Sequence, residues 1–154
     1  MKQFEAQVAW ERGAQPFLDQ RYSRVHAWSF DGGLCVPASS SPLSVPLPMS
    51  DPAALDPEEA LVAALSSCHM LFFLSLAARA GWVVDQYRDH AVGQMGRNGA
   101  GKLAMTRITL RPAIGFSGER QPDANQIAAL HQAAHAQCYI ANSINAEVII
   151  EGAP

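Results

Sequence analysis

Residues 56–81, "DPEEALVAALSSCHMLFFLSLAARAG", decide the fold of this chain. Asp56 can cap a helix, and Pro57 suits the first helical position, where the missing amide hydrogen costs nothing. The two glutamates that follow complement the positive end of the helix dipole, and Gly81 provides a stop. The sequence therefore predicts one long helix from Pro57 to about Ala80, with a cysteine, Cys68, near its middle.

The uncharged run at residues 60–78 is about as long as a segment that spans a bilayer. Serines, alanines and His69 dilute its hydrophobicity, and segments with strand-like alternation surround it. A helix that is apolar on all sides can equally be the central helix of a core or of a dimer interface. We therefore favour a long buried helix that carries Cys68, with a membrane span as the less favoured alternative.

Strand patterns precede this helix. Residues 4–10 alternate as a half-buried strand, with Phe4, Ala6, Val8 and Trp10 on one face. Two further strand segments flank Asp31-Gly32, a pair that favours a tight hairpin turn. A proline-rich loop at residues 37–57 then leads into the helix, and a loop of this length in a compact domain is usually a binding or wrapping segment.

After the helix, residues 82–116 predict one long two-stranded hairpin around "GRNGAG". A second helix is predicted from about Pro122 to Tyr139, and residues 146–151 form a closing strand. The order βββ-α-ββ-α-β indicates an α+β fold, in which a mostly antiparallel sheet packs on two helices. We expect residues 1–154 to form a single domain.

Composition excludes several functions. A net charge of −3 offers no basic face for nucleic acid. The start of the sequence lacks the pattern of a signal peptide, and three cysteines are too few for a secreted disulfide framework. We therefore expect a cytoplasmic protein that binds neither nucleic acid nor membrane.

Cys68 has two interpretations. A buried cysteine packs as a small apolar side chain and is then inert. A reactive cysteine needs a cation or a helix N-terminus to stabilise its thiolate, together with access for substrate. The middle of a helix supplies no dipole, so the cation would have to come from another element. His69 is adjacent, but neighbouring helix positions point about 100° apart.

The segment "HQAAHAQC" is a candidate metal site. His131, His135 and Cys138 fall at i, i+4 and i+7, so one helix face can carry all three. That spacing suits zinc, with Cys68 as a fourth ligand from elsewhere in the fold. The alternative is two half-exposed helix histidines and a core cysteine, and no CxxC or HExxH motif supports the metal.

Aromatic residues and an arginine alternate along the second strand pattern. Tyr22, Arg24, His26, Trp28 and Phe30 fall on one face. An arginine among aromatics forms either a surface cation–π pair or a charge delivered into an apolar pocket.

Two cysteine contexts together resemble a known family. "DPEEALVAALSSCHM" places Cys68 ten residues after Glu58, and "AHAQCYIANSI" places Cys138 in an A-H-x-x-C segment. This pattern resembles the OsmC/Ohr family of osmotically inducible and organic hydroperoxide resistance proteins, in an OsmC-like branch. The order of strands and helices agrees, so the resemblance covers nearly the whole chain.

The resemblance implies a thiol-dependent peroxidase. Cys68 would attack an organic hydroperoxide and become a sulfenic acid, Cys138 would resolve it as a disulfide, and a dithiol of the dihydrolipoyl type would reduce that disulfide. The family arginine, which stabilises the thiolate, corresponds to Arg24 or to Arg21, and the family glutamate that holds it corresponds to Glu58. The resemblance also implies a homodimer with active sites at the interface, and we expect no cofactor and no metal.

Helix geometry limits the role of Glu58. On a straight helix, ten residues separate Glu58 from Cys68 by about 15 Å along the axis and about 280° around it, so the two cannot touch. This chain also has His69 after Cys68 and Tyr139 after Cys138, where relatives often have other residues. The alternative function that stays open is a metal- or small-ligand-binding homodimer without significant peroxidase activity.

Overall fold

The computed structural model describes residues 1–151, which form two compact units. The first unit comprises residues 1–60, and the described part of the second comprises residues 61–151. Both strands and helices are present, and the α+β class predicted from the sequence is confirmed. The prediction of a single domain stays a prediction.

The first unit contains a three-stranded antiparallel sheet. Its strands are β1 (Ala6–Ala9), β2 (His26–Phe30) and β3 (Cys35–Ala38), in that spatial order. The predicted turn joins β2 to β3, with Gly33 at a φ of 84°. The prediction that β1 is half-buried is wrong for the single chain, because all four residues of β1 are exposed.

The proline-rich loop returns to this sheet. The amide of Ser39 donates to the carbonyl of Leu55 at 3.0 Å, and the amide of Leu55 donates to the carbonyl of Pro37 at 3.1 Å. The Ser39 hydroxyl accepts from the amide of Asp51 at 3.0 Å. These bonds tie both ends of the loop to β3, as expected of a wrapping segment.

Helix α1 runs from Pro57 to Arg79 and confirms the predicted helix to within one residue. The Asp56 carboxylate accepts from the amide of Glu59 at 2.8 Å, and Gly81 follows with a φ of 79°. Among the described residues, α1 is the one helix long and apolar enough to cross a membrane by length and composition. Its fully buried residues form a single stripe, Leu65, His69, Phe73 and Ala77.

The buried face of α1 is narrower than its long apolar run suggested. Leu71, on another side of the helix, is 61% exposed in the single chain. The buried stripe follows the spacing i, i+4, i+8 and i+12, which is one face of a helix. One copy of the chain therefore buries one face of α1 and leaves part of its apolar run exposed.

The predicted two-stranded hairpin is four strands in two sheets. Its strands are β4 (Val83–Asp89), β5 (Val92–Arg97), β6 (Leu103–Leu110) and β7 (Pro112–Ser117). β4 pairs with β7, while β6 lies between β5 and the final strand β8 (Glu147–Ile150), which runs parallel to β6. Each arm of the predicted hairpin bends, one between β4 and β5 and the other between β6 and β7. The Asp89 carboxylate, at the end of β4, accepts from the amide of Arg111, between β6 and β7, at 2.6 Å and thereby holds the two bends together.

Helix α2 runs from Ala124 to Gln137, two residues shorter at each end than predicted. Asp123 and Gln126 form a reciprocal capping box, so the helix begins after Asp123 rather than at Pro122. Cys138 ends the helix in an extended conformation, which places Tyr139 beyond it.

Gly93 gives a prediction about packing between α1 and β5. A Cβ atom at this position would lie 2.6 Å from a Val62 methyl carbon and 2.7 Å from the Met105 sulfur. Gly93→Ala is therefore expected to lower the free energy of unfolding by about 1–3 kcal/mol, measured by urea denaturation. Gly99→Ala, which meets nothing within 4 Å, is the control. An equal cost at both glycines would contradict the packing.

Candidate active site

The structure brings the two predicted redox cysteines together. Cys68 is half-buried on α1, and Cys138 is fully buried at the C-terminal end of α2. Both belong to the core cluster built on Leu65, Ile108 and Leu110. The two side chains lie within hydrogen-bonding reach of each other, and both thiols are free.

The two thiols differ in environment. Burial and, second, the hydrogen bond with Cys68 raise the pKa of the Cys138 thiol from 9.0 to about 11. The amide of Ala141 donates to the Cys138 sulfur at 3.4 Å and partly offsets this rise. Cys138 is therefore protonated at neutral pH, whereas Cys68 is the thiol that solvent can reach.

Apolar side chains surround the dithiol. Phe72, one turn along α1 from Cys68, packs edge-on against Tyr139 with ring centroids 5.1 Å apart. The half-buried hydrophobic residues packed on the same cluster include Leu61, Val62, Phe72, Met105, Ile140, Ile144 and Val148. Such a wall favours a reactant with an alkyl or aryl group over a fully hydrated one.

Two buried histidines meet between the helices. Nε2 of His69 and Nδ1 of His131 are 3.0 Å apart, and the rings lie nearly parallel. The His131 ring also packs on Phe73, with centroids 4.5 Å apart. Burial, followed by the charges of His131 and His135, lowers the pKa of His69 to about 4, against an opposing effect of Asp89. Both rings are therefore neutral at pH 7.

The metal site suggested by the "HQAAHAQC" spacing does not form. Nδ1 of His131 is engaged with Nε2 of His69. Within residues 1–151, no group of three or more His, Cys, Asp or Glu side chains is placed to hold a metal ion. The His69–His131 pair is what the sequence reasoning missed, since each histidine was considered only with its own helix.

Arg24 lies in the first unit, where it is held by its own neighbours. Its guanidinium donates to the carbonyls of Gln20 and Tyr22 and lies over the Tyr22 ring, 3.8 Å from the centroid. This is the cation–π pair that the alternation allowed, although Tyr22 and Arg24 precede the strand, which begins at His26. Arg21 is exposed, so Arg24 is the arginine placed among aromatic side chains.

Glu58 lies in the first turn of α1, half-buried. In the part of the chain that the structure describes, the ion pairs are Arg107–Glu147 and Arg111–Glu151, both on the β6–β8 surface. A pair between Glu58 and Arg24 is therefore not formed within one chain. The structure brings Cys68 to Cys138 but leaves Arg24 and Glu58 as candidates in the first unit.

Comparison with known proteins decides the family. Residues 50–151 match the family described as OsmC-like protein. An OsmC-like protein of unknown function from Vibrio cholerae is 49% identical, with a TM-score of 0.97, over 99% of this chain and 100% of that one. This chain belongs to the OsmC family.

More distant structures share the OsmC fold. An organic hydroperoxide resistance protein from Elizabethkingia anophelis has a TM-score of 0.73 at 16% identity, covering 99% of this chain and 96% of that one. OhrB of Bacillus subtilis, also an organic hydroperoxide resistance protein, has a TM-score of 0.66 at 17% identity, covering 97% and 98%. No curated protein matches this chain. The recognition of the OsmC/Ohr family from the two cysteine contexts is confirmed.

Proposed function

We propose that this OsmC protein is a thiol-dependent peroxidase that reduces organic hydroperoxides to alcohols. The observation that carries the proposal is the pairing of an accessible thiol, Cys68, with a buried one, Cys138, inside an apolar wall. The hydroperoxide resistance proteins that share the fold support the reaction class.

The difference in burial between the two thiols supports an order of reaction. The Cys68 thiolate attacks the distal oxygen of ROOH, the O–O bond breaks, and the alkoxide leaves as ROH after taking a proton. Cys68 is then a sulfenic acid. Cys138 loses its proton and attacks the Cys68 sulfur, water leaves, and a disulfide joins the two residues. A dithiol of the dihydrolipoyl type restores both thiols by exchange and becomes a disulfide itself.

Arg24 and Glu58 complete the proposed site. A thiolate in apolar surroundings needs a fixed cation, and a guanidinium keeps its charge in such a place. We assign that role to Arg24 and the role of holding it to Glu58. Because no Arg24–Glu58 pair exists within the described residues of one chain, their engagement is proposed for a homodimer.

Exposed apolar residues support the homodimer. In the first unit, Phe4 is 90% exposed and Val8 is 64% exposed, and on α1 Leu71 is 61% exposed. Exposed apolar side chains that form a surface patch usually mark an interaction site, so we expect a second copy of the chain to bury these residues. Light scattering at micromolar concentration is expected to give twice the mass of one chain. A monomer mass would contradict the dimer. We also propose that the protein acts in the cytoplasm.

Substrate preference tests the proposed reaction. Cumene hydroperoxide is expected to be consumed at least about tenfold more efficiently than hydrogen peroxide, in kcat/KM, with dihydrolipoamide as reductant. The reason is that the apolar wall rewards burial of the cumyl group, which hydrogen peroxide lacks. No consumption of either peroxide by fully reduced protein would overturn the proposed function.

A further inference from the structure

Helices α1 and α2 meet in the second unit through a pair of buried histidines that the proposed chemistry does not use. His69 is 1% exposed and His131 is 5% exposed, and Nε2 of the first lies 3.0 Å from Nδ1 of the second. The ring planes are 10° apart, with centroids separated by 5.3 Å. On α1, His69 follows Cys68 directly, and on α2, His131 lies seven positions before Cys138. The helices that carry the two thiols therefore also carry the pair.

The surroundings of the two rings favour one tautomer of the pair. Nδ1 of His69 is buried and has no hydrogen-bond partner in residues 1–151. A proton on that atom would be an unpaired buried donor, and buried N–H groups without a partner are rarer in proteins than under-satisfied acceptors. The proton of His69 is therefore placed on Nε2, which donates to Nδ1 of His131.

Stability alone does not account for two histidines at this place. On the buried stripe of α1, Leu65 belongs to the core cluster that contains Cys138. One turn beyond His69, Phe73 belongs to the second cluster, with Leu130. An apolar side chain between the two clusters would join them without burying polar atoms, and one hydrogen bond does little more than offset the desolvation of two rings. The hydrogen bond adds direction, because it requires both a distance and an angle.

Two separate contacts define how α2 lies on α1 near the site. One is the histidine pair, and the other is the contact between Cys68 and Cys138. On an ideal helix, seven residues place His131 about 10.5 Å along the axis from Cys138 and within about 20° of the same face. A fixed contact at His131 therefore limits both the rotation of α2 about its axis and the swing of the end that carries Cys138.

We propose that His69 and His131 are positioning residues, which hold the Cys138 sulfur close to the Cys68 sulfur and so set how readily the two form a disulfide. This role rests on the proposed function, in which Cys138 attacks the oxidised Cys68. The pair acts through the effective concentration of one thiol at the other and need not touch the reacting atoms. A misplacement of about 1 Å can cost such an intramolecular step about a hundredfold.

Equilibrium with glutathione tests this role without any hydroperoxide. Oxidised glutathione takes two electrons and two protons from the Cys68 and Cys138 thiols, which gives the protein disulfide and two molecules of reduced glutathione. The equilibrium constant, obtained by blocking free thiols and weighing the products, is the effective concentration of the two thiols. The Cys35→Ser protein is the reference, so the exposed third thiol takes no part. A protein that consumes no hydroperoxide still gives this constant, so failure of the proposed function is a separate result.

Substitutions in the pair are made in that reference protein. His69→Met fills the space but cannot donate, and His131→Leu cannot accept, so each is expected to lower the effective concentration at least about tenfold. His69→Gln keeps an N–H donor and is expected to stay within about threefold of the reference. Val84→Ala is the control for a general loss of packing, because Val84 lies on β4 and packs on the second cluster. It should also stay within about threefold.

The pattern across these variants decides the proposal. A fall in His69→Met and His131→Leu, with His69→Gln and Val84→Ala near the reference, supports it. Unchanged values in both pair variants would overturn it, as would an equal fall in His69→Met and His69→Gln or in His69→Met and Val84→Ala. A reference protein that forms no Cys68–Cys138 disulfide with glutathione would overturn it as well. Circular dichroism checks that each variant is folded, and His131→Leu serves if His69→Met is not.

Discussion

Replacing Cys68 with Ser is expected to lower the turnover of cumene hydroperoxide, with dihydrolipoamide as reductant, at least about a thousandfold. The thiolate is the only group that the proposed cycle uses to open the O–O bond, and a hydroxyl at the same place stays protonated at neutral pH. The fold should survive, because serine is nearly isosteric and Cys68 is only half-buried. The measurement is kcat/KM under anaerobic reduction of the enzyme.

Two matched cysteine variants separate this expectation from a general effect of thiol loss. Cys35→Ser should leave turnover within about twofold, because Cys35 is exposed in the first unit and has no role in the cycle. Cys138→Ser should lose turnover but keep one fast event, after which a Cys68 sulfenic acid accumulates and reacts with dimedone. Turnover that persists in Cys68→Ser would remove the proposed nucleophile.

Acidification from pH 7 to pH 4 is expected to remove about 3 kcal/mol of stability through His69 alone. The pKa of His69 is lowered from 6.5 to about 4 by burial and by the neighbouring imidazoles. The unfolded chain therefore binds a proton below about pH 6.5, while the folded protein resists until about pH 4. The loss of stability therefore begins below about pH 6.5, and above that pH His69 adds no pH dependence to the free energy of unfolding. Burial lowers the pKa of His131 as well, which acts in the same direction.

The free energy of unfolding in urea, measured at half-unit pH steps, tests this expectation. His69→Gln should flatten the curve between pH 6.5 and pH 4, whatever its effect at pH 7. His90→Gln is the control, because His90 is exposed. An equal slope in the wild type and in His69→Gln would show that the buried pair does not govern the acid response.

Local signals explain which parts of the fold could be predicted. Helix α1 was found to within one residue, because its cap at Asp56 and its stop at Gly81 act within one turn. The four-stranded arrangement was missed, because its bend depends on a bond between Asp89 and the amide of Arg111. That bond joins residues 22 positions apart, and no periodicity of either strand encodes it.

The candidate site, like the fold, could be predicted only in part. Cys68 and Cys138 were singled out by their sequence contexts, and their contact depends on how α1 packs against the end of α2. The His69–His131 pair joins residues 62 positions apart, so the spacing within α2 suggested a metal face instead. The single buried face of α1 could not be predicted, because composition does not say whether one chain or two covers an apolar helix.

Mass mapping of the oxidised protein shows whether Cys68 and Cys138 act as a redox pair. One equivalent of cumene hydroperoxide is added to fully reduced protein, free thiols are blocked, and the peptides that contain cysteine are identified. We expect a disulfide between Cys68 and Cys138, with Cys35 recovered as the blocked thiol. Recovery of Cys68 and Cys138 as blocked thiols, with the hydroperoxide unconsumed, would contradict it.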